Sequence, residues 1–457
     1  MNLIRLSAVI ITALLLTGIT HADNTGAIDS STLKRITSIK IDKSAVNAVT
    51  SNKLAPLVQN RKILSNKDRF YTHKTDCGSI THQYSTGRCW MFGALSMLTP
   101  AVIKRYSLKD FRFSHTYVYF WDKFEKANMF YEMMIKHADS DILDRKLRFY
   151  LNDPSPDGGH WSYAADIIKK YGLIPEYAMP DTIHTKNSAS MNCVLNTLLR
   201  KHAAELRSMH ANGSSDGELR QKKEQYLKEI YSILVMCLGE PPASFTLRLE
   251  YKNGKLSKPK DMTPTEFCKD AKINPDDYIS VFSNPVWDNY GVYEIEDNRN
   301  IAEYPSFKML NITDMTKLKK IAAKSVKASD AVMIALDSWN NMNKLTGIMA
   351  DNLFEYSDLF GFDLKMTKKD RVLYGTSIPT HVMALTGLDE IDGHVVKWQA
   401  KNSWGDKICE NGFCTIYDDW IGENIYQFVF LRKYADREML EAEKQKPVLL
   451  PEYDMMR

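Results

Sequence analysis

Cys89 lies between a turn-like run and an apolar run, in the stretch HQYSTGRCWMFGA. A cysteine attacks a carbonyl carbon as its thiolate. At the start of a helix, the sulfur meets unpaired backbone N–H groups and the positive end of the helix dipole, and both favour the anion. A single cysteine is more often a buried apolar residue. The placement of Cys89 therefore makes it a candidate nucleophile that needs partners elsewhere in the chain.

Two residues far downstream are suited to be those partners. His381 opens the strand-like run HVMALTG, and Asn402 lies in the next one, in AKNSWGD. Asp392-Gly393 lies between the two runs and favours a tight hairpin turn, which would bring His381 and Asn402 together. An imidazole that takes a proton from sulfur needs an acceptor for its second N–H, and an asparagine oxygen supplies one. The alternative for His381 is an ordinary polar residue at a strand end.

Gln83 and Trp404 extend this set. Gln83 precedes Cys89 by six residues. Its side-chain amide and the backbone N–H of Cys89 can donate to an oxyanion that forms on the attacked carbonyl. Trp404 closely follows Asn402 and can shield the bond between histidine and asparagine from water. Gln83 by itself is equally compatible with a surface loop, but the coincidence of all these residues indicates acyl transfer by a thiol.

The net charge and the cysteines bear on which kinds of ligand the protein binds. The formal net charge of +4 is small for 457 residues and gives no reason to expect nucleic-acid binding. No C-x-x-C motif and no His/Cys cluster with zinc spacing occurs in the sequence, so we expect no metal and no cofactor. Seven cysteines leave at least one unpaired. Cys409 and Cys414 flank the turn-like ENGF, and they form either a hairpin disulfide or two unpaired thiols in a strand pair.

The N-terminus resembles an export signal. Arg5 precedes the apolar run LSAVIITALLLTGIT, and small residues follow up to Ala22. This order predicts a signal peptide over residues 1–22, cleaved after Ala22, and hence a periplasmic or extracellular protein. The alternative is a membrane anchor, but the run is shorter than the roughly 20 residues that span a bilayer. We therefore expect no membrane attachment after cleavage.

The elements that must position these residues are partly visible in the sequence. Residues 23–60 are polar and have little periodicity, as in a loose lead-in. Helical patterns cover Cys89–Tyr106, a stretch within 111–137 with Ser114 as its N-cap, and the run WSYAADIIKKYG after Gly158-Gly159. Residues 190–238 predict a helical hairpin that breaks at ANGSSDGE, and the C-terminal third is rich in strand patterns.

Longer blocks resemble one family. STGRCWMFGALSML, DGGHW, KYGLIPEYAMPDT, THVMALTG, KWQAKNSWGD and LLPEYD are similar, in this order, to blocks of the bleomycin hydrolase or aminopeptidase C family of papain-like cysteine peptidases. The resemblance runs from about Ser51 to Arg457. Cys89 and His381 lie farther apart than the about 130–150 residues expected in papain-like enzymes. The predicted helical hairpin accounts for the surplus as an insertion.

This resemblance implies an α+β, papain-like fold of two lobes. One lobe is helical, and the other is β-rich and barrel-like. A helical insertion and a C-terminal arm in the cleft complete the fold. The implied segments are a signal peptide (1–22), an N-terminal arm (23–60), a left lobe with the nucleophile helix (61–185), a helical insertion (186–275), a right lobe with histidine and asparagine (276–440) and a tail (441–457).

The resemblance also implies roles for individual residues. Cys89 is the nucleophile, His381 the acid and base, Asn402 the residue that orients it, and Gln83 an oxyanion donor. Expected substrate-binding residues are Gly158, Gly159, Trp404 and Arg457, although the two glycines are also compatible with a plain turn. Peptides are the expected substrates. Family members form hexameric rings, so we expect a homohexamer.

The C-terminal tail bears on the kind of peptidase. In the family, the terminal carboxylate captures the amino group of the substrate and makes the enzyme an aminopeptidase. Here KPVLLPEYDMMR ends sooner than the family pattern and in a cation, Arg457, which would partly offset that carboxylate. An aminopeptidase of the bleomycin hydrolase type is the main hypothesis. The alternatives are an endopeptidase with an open cleft and a catalytically silent binding protein with the same fold.

Overall fold

The computed structural model describes residues 26–65 and 68–457, so the predicted signal peptide lies outside the described residues. The chain divides into one unit that ends at Val58 and a second that begins at Gln59. Within the described ranges, no helix has both the length and the apolar character needed to cross a membrane.

From residue 26 onward, the first unit contains three short helices, α1 (Ser30–Ile36), α2 (Lys43–Ser51) and α3 (Leu54–Leu57). The sequence pattern had suggested a loose lead-in here. Asp29 and Asp42 are the N-caps of α1 and α2, and each carboxylate accepts a hydrogen bond from the first helical turn. Capping rather than periodicity is therefore the local signal for α1 and α2.

The helices of the second unit include every helix that the sequence predicted. They are α4 (Arg61–Ser65), α5 (Cys89–Tyr106), α6 (His115–Lys136), α7 (Arg145–Asn152), α8 (Trp161–Tyr171), α9 (Ile183–Lys186), α10 (Ala189–Ala211), α11 (Asp216–Leu238), α12 (Pro264–Ala271), α13 (Met315–Lys327), α14 (Tyr356–Phe360), α15 (Lys368–Leu373), α16 (Asp418–Asn424) and α17 (Arg437–Ala442).

The strands form one large mixed sheet and one small hairpin. They are β1 (His73–Lys74), β2 (Phe245–Leu247), β3 (Lys260–Met262), β4 (Tyr278–Phe282), β5 (Val292–Ile295), β6 (Lys308–Asn311), β7 (Val332–Leu336), β8 (Met342–Asn343), β9 (Ile348–Met349), β10 (His381–Ile391), β11 (His394–Lys401), β12 (Phe413–Tyr417), β13 (Ile425–Leu431) and β14 (Val448–Leu450). The large sheet has the order β14-β5-β6-β4-β13-β7-β10-β11-β12-β9-β8, with β1 also paired to β10, while β2 pairs only with β3.

Helix α5 is apolar on all sides, and most of its residues are buried. A helix of this kind must be enclosed by other elements. It packs on the start of β10 at Gly93, where an added Cβ would lie 2.4 Å from the Cγ1 atom of Val382. Glycine therefore lets the first turns of α5 approach the strand that begins at His381.

The predicted hairpin of β10 and β11 is confirmed. Asp392 (φ 51°) and Gly393 (φ 80°) form its turn with left-handed backbone angles, as a two-residue hairpin turn requires. Ala384 pairs with Lys401 near the open end of the hairpin. His381 and Asn402 lie at that same end. The turn at Asp392-Gly393 fixes the register of the two strands and therefore brings these two residues close together.

The predicted helical hairpin is α10 and α11. Ser215 caps α11 in a reciprocal capping box with Glu218. The buried face of α11, which includes Leu219, Tyr226 and Ile230, belongs to the same apolar core as α5 and α6. Taken together, the elements make this a mixed α/β protein, as predicted at that coarser level.

Candidate active site

Cys89 is the first residue of α5, and its side chain is partly exposed. Arg88 occupies the N-cap position but makes no side-chain hydrogen bond to the helix end. Burial raises the pKa of the Cys89 thiol to about 11, although the backbone N–H groups of Val382, Trp90 and Cys89 itself act in the opposite direction. The backbone N–H groups at the helix end thus favour the thiolate, as predicted, but burial has the larger effect on the pKa of the thiol. The resting sulfur is a thiol that needs a base.

His381 and Asn402 are in direct contact. The His381 Nε2 atom lies 2.8 Å from the Asn402 Oδ1 atom, and the backbone N–H of Ser403 donates to the same Oδ1 atom at 2.8 Å. A backbone N–H can only donate, so the atom that it meets is the amide oxygen. Nε2 must therefore carry the proton, and Nδ1 keeps a lone pair with which to accept one.

The imidazole is neutral in the resting site. Burial lowers the pKa of His381 to about 4, and the positive charge of Lys344 acts in the same direction, while the hydrogen bond with Asn402 opposes both. Val382, the next residue, packs against Gly93, which lies one helical turn after Cys89 in α5. The fold thereby brings a protonated thiol and a neutral base to neighbouring positions on α5 and β10.

Trp404 covers one face of this imidazole. The two ring centroids are 4.5 Å apart, and the rings lie 29° from parallel. The Nζ atom of Lys344 lies over the Trp404 ring, 5.9 Å from its centre. Trp404 is thus in the position that the sequence predicted for a residue shielding the histidine.

Gln83 is joined to the segment that carries Asn402. Its backbone N–H donates to the Ser403 carbonyl at 2.8 Å, and its Oε1 accepts from the Ser403 hydroxyl at 2.6 Å. Its Nε2 donates one hydrogen to the Thr86 carbonyl at 2.7 Å. An amide nitrogen carries two hydrogens, so the second can serve an oxyanion. The structure thus brings Gln83 and Asn402 together through Ser403.

Arg88 was not predicted as part of the site, yet it supports the loop that holds Gln83. Its Nε donates to the Thr86 hydroxyl at 3.1 Å, and that hydroxyl donates to the Gln83 carbonyl at 2.6 Å. The Arg88 side chain is fully buried, and its Nη2 donates to the Thr185 carbonyl. No local pattern marks an arginine as buried, because its partners come from distant loops.

Gly158 and Gly159 differ in their surroundings. A Cβ on Gly159 would lie 2.8 Å from the Trp90 ring and 2.9 Å from the Tyr163 ring, whereas nothing lies within 4 Å of such an atom on Gly158. Gly159 therefore allows close packing beside the first turn of α5. Gly158 leaves open space beside its backbone, and its carbonyl accepts from the Lys126 Nζ at 2.6 Å.

Asp157 fixes the same segment and was also missed. Its carboxylate pairs with the Lys123 Nζ at 2.8 Å and accepts from the backbone N–H of Gly87 at 3.2 Å. Tyr119, Ser188 and Asn192 donate to it as well. Burial alone would raise the pKa of Asp157, but Lys123, Ser188 and Asn192 hold it well below its usual range. Asp157 thereby links the loop before Cys89 to Gly158 and to α10.

The C-terminal tail ends close to this segment. Strand β14 pairs in parallel with β5, and the side chain of Met456 is buried. The Arg457 guanidinium donates to the backbone carbonyls of Glu296, Asp297 and Glu452 at 3.1–3.4 Å. Burial lowers the pKa of His160, which follows Gly159, to about 3, and the charge of Arg457 adds to that effect. The cation of the last residue is therefore bound by the tail's own neighbours.

Among the described residues, one group of three acids could be considered for a metal: Glu296, Asp297 and Glu452. Lys136 and Lys146 form ion pairs with these carboxylates at 2.7–3.6 Å. Arg299 also pairs with Asp297 at 2.9 Å, so three cations balance the three carboxylates, and no histidine or cysteine joins them. This donor set fits an anchoring network for the tail better than a cation site.

Of the two alternatives for Cys409 and Cys414, the structure has the disulfide, which joins residues whose Cα atoms are 5.3 Å apart. The bridge spans a turn at Asn411-Gly412, both with left-handed backbone angles. The free cysteines of the described part of the chain are Cys77, Cys89, Cys193, Cys237 and Cys268.

Comparison with known proteins gives the class. Residues 30–457 match the Peptidase C1-like family. Aminopeptidase C of Streptococcus thermophilus is 34% identical over 414 residues, covering 90% of this chain and 93% of the relative. Aminopeptidase C of Listeria monocytogenes is 36% identical over 389 residues, covering 84% and 87% of the two chains. The crystal structure of PepW from Lactobacillus rhamnosis superposes with a TM-score of 0.90 at 33% identity, covering 94% of this chain and 98% of that one.

The chain therefore belongs to the Peptidase C1-like family of cysteine peptidases. Its relatives include several proteins named aminopeptidase C, which confirms the family predicted from the sequence blocks.

Proposed function

We propose that Cys89, His381, Asn402 and Gln83 form the catalytic centre of this chain, which is a cysteine-type aminopeptidase. The observation that carries the proposal is the 2.8 Å contact between His381 and Asn402, at the start of a strand whose second residue, Val382, packs against Gly93, one turn after Cys89 in α5. Nucleophile, base and orienting group then follow one another in space, although they are far apart in sequence.

The proposed reaction begins when the Nδ1 atom of His381 accepts the thiol proton and the sulfur attacks the carbonyl carbon of the first peptide bond. The backbone N–H of Cys89 and the second amide hydrogen of Gln83 donate to the oxyanion. The C–N bond then breaks, and His381 returns the proton to the leaving amine. Water, deprotonated by His381, attacks the acyl-enzyme, releases the amino acid and restores the thiol.

The finer description of the fold is part of the proposal. We infer a helical lobe built on α5, α6 and α8, a β-rich lobe built on the large sheet, and a cleft between them at Cys89 and His381. The packing of Gly93 on Val382 supports this division, because it sets the start of α5 against the first residues of β10. Helices α10 and α11 are the proposed insertion.

Gly158, Gly159, Trp404 and Arg457 are the proposed substrate-binding residues. Open space beside Gly158 supports an extended peptide at its backbone. The tail residues that follow β14 would block the cleft beyond the first substrate residue, and the terminal carboxylate would receive the free amine. Because backbone carbonyls bind the Arg457 guanidinium, its charge opposes that attraction less than the sequence suggested.

Hydrolysis of matched peptides with a free and with a blocked amino group tests the exopeptidase proposal. We expect the full chain to cleave only the free-amine peptides, and a chain that ends at Asp454 to gain cleavage of blocked ones. An Asp288→Asn substitution, far from the tail in sequence and in a partly exposed loop, is the control. Equal cleavage of both peptides by the full chain would instead favour the open-cleft endopeptidase.

We also propose export with cleavage after Ala22, and assembly into a homohexamer. The charge and length of the N-terminal run support the first, and the likeness to the aminopeptidase C family supports the second. The mass and N-terminal sequence of the protein recovered from its native host test the first. Light scattering of the purified protein tests the second, with a monomer mass as the contrary result.

A further inference from the structure

The hairpin that the Cys409–Cys414 disulfide closes is in contact with Asn402. The backbone N–H of Asn402 donates to the Gly412 carbonyl at 3.0 Å, and its Nδ2 donates to the Cys409 Sγ atom at 3.7 Å. The oxygen of the same amide is already occupied by Ser403 and His381. The disulfide sulfur is therefore the acceptor on the other side of the amide.

Cys409 is held in an unusual place. Its φ of 59° is in the left-handed region, where glycine is the ordinary choice and an L side chain is disfavoured. Its backbone N–H donates to the Leu345 carbonyl at 3.1 Å, and a Cβ on Gly347 would lie 2.7 Å from its sulfur. A cysteine thus occupies a position whose backbone suits glycine, next to residues 345–347, and its sulfur contacts the amide of Asn402.

We propose that Cys409, fixed by its disulfide to Cys414, is a positioning residue that holds the Asn402 amide toward His381. This inference rests on the proposed catalytic centre. The disulfide ties the sulfur to β12, so the acceptor cannot rotate away from Nδ2. The enzyme then has two opposite redox requirements, because Cys89 must be reduced while Cys409 and Cys414 stay joined.

Three variants test this role. Cys409→Gly with Cys414→Ala removes the acceptor and the cross-link at a position whose backbone suits glycine. Cys409→Ser with Cys414→Ser removes the cross-link but leaves an acceptor oxygen. Cys193→Ser changes an exposed free cysteine of α10 and is the matched control. Each is compared with the parent chain for kcat and KM on a free-amine peptide, and for the pH profile of Cys89 alkylation by iodoacetamide, followed by peptide mass spectrometry.

For Cys409→Gly with Cys414→Ala we expect kcat to fall about tenfold, because a small loss of orientation at the reacting base is costly. The KM of this variant should remain within about twofold of that of the parent chain. The acid limb of the alkylation profile moves to lower pH, because the hydrogen bond that raises the pKa of His381 weakens. For Cys409→Ser with Cys414→Ser we expect a kcat between that of this variant and that of the parent chain. The acid limb of its alkylation profile shifts in the same direction but by less. If the glycine variant does not fold, the serine variant tests the proposal. Cys193→Ser matches the parent.

An unchanged kcat and an unchanged alkylation profile, with only a lower melting temperature, would overturn the proposal and leave a purely structural cross-link. The alkylation profile does not depend on peptide hydrolysis. A parent chain that hydrolyses no peptide would refute the proposed function, while the profiles would still decide whether Cys409 positions Asn402.

Discussion

The Nε2 atom of His381 lies 2.8 Å from the amide oxygen of Asn402, and the same oxygen accepts from the backbone of Ser403. These two contacts fix the orientation of the amide and, through it, the tautomer of the imidazole. The free lone pair is then on Nδ1, the nitrogen that we propose as the base for Cys89.

Substitution of Asn402 should separate orientation from charge. Asn402→Ala removes the acceptor, and we expect kcat to fall about 100-fold because the imidazole is no longer held in place, with little change in KM. Asn402→Asp keeps an acceptor and adds a negative charge, which favours the imidazolium and should move the acid limb of kcat/KM to higher pH. Steady-state kinetics across pH measure both effects. Equal kcat in the parent and the alanine variant would contradict the assignment of Asn402.

The pH dependence of kcat/KM should reveal a depressed histidine pKa. Burial lowers the pKa of His381 to about 4, so the imidazole remains a neutral base far below its usual value of 6.5. Activity should be lost only as the pH falls through about 4, because protonated His381 cannot accept the thiol proton. A midpoint near 6.5 would contradict this environment.

Acid unfolding must be distinguished from this titration. His115 and His160 are also buried and have lowered pKa values. Below the unfolded value of 6.5 the unfolded chain binds more protons than the folded one, so stability falls as the pH decreases. Recovery of full activity on return to neutral pH is the control, since unfolded protein that does not refold would show a loss.

Gln83 should contribute to kcat through its amide N–H. Gln83→Glu preserves shape and the acceptor for Ser403 but lacks the donor. We expect a loss in kcat of about 100-fold or more, the usual effect of removing one oxyanion donor. Ser403→Ala, which leaves the Gln83 amide in place, should cost much less. A glutamate variant within twofold of the parent would exclude Gln83 from the oxyanion site.

Asp157 should be required for stability because of Lys123. The Lys123 side chain has no solvent exposure and pairs with Asp157 at 2.8 Å. Asp157→Asn leaves that cation without its counterion, and we expect the free energy of unfolding to fall by about 3–5 kcal/mol. Asp276→Asn breaks the exposed pair with Lys169 and should change little. Denaturant titration compares the two, and similar midpoints would contradict the role of the buried pair.

The central chemistry was readable from the sequence because its signals are local. The turn before Cys89, the strand that begins at His381 and the hairpin turn at Asp392-Gly393 each depend on neighbours in the chain. The apolar run after Cys89 gave α5 with its bounds unchanged. The hairpin turn then brought His381 to Asn402 without any knowledge of the rest of the fold.

The supporting residues could not be found in this way. Arg88, Lys123 and Asp157 are charged, and charged side chains are ordinarily solvated. Their burial depends on partners that α6, α9 and α10 bring from elsewhere in the chain. The contact of Cys409 with Asn402 was missed for a related reason, because the sequence left open whether Cys409 was bonded at all. For Asp157, the nearest signal in the sequence was the block DGGHW. An acidic residue beside two glycines indicates a loop whose conformation depends on contacts with other residues.

The most direct test of the account is the activity of Cys89→Ala on a free-amine fluorogenic peptide, measured beside the parent chain, with circular dichroism to show that both are folded. The account predicts that the parent cleaves the peptide and is labelled by iodoacetamide at Cys89, and that the variant has no activity. Cleavage by the folded variant would contradict it, and so would a reduced parent chain that neither cleaves peptides nor is labelled at Cys89.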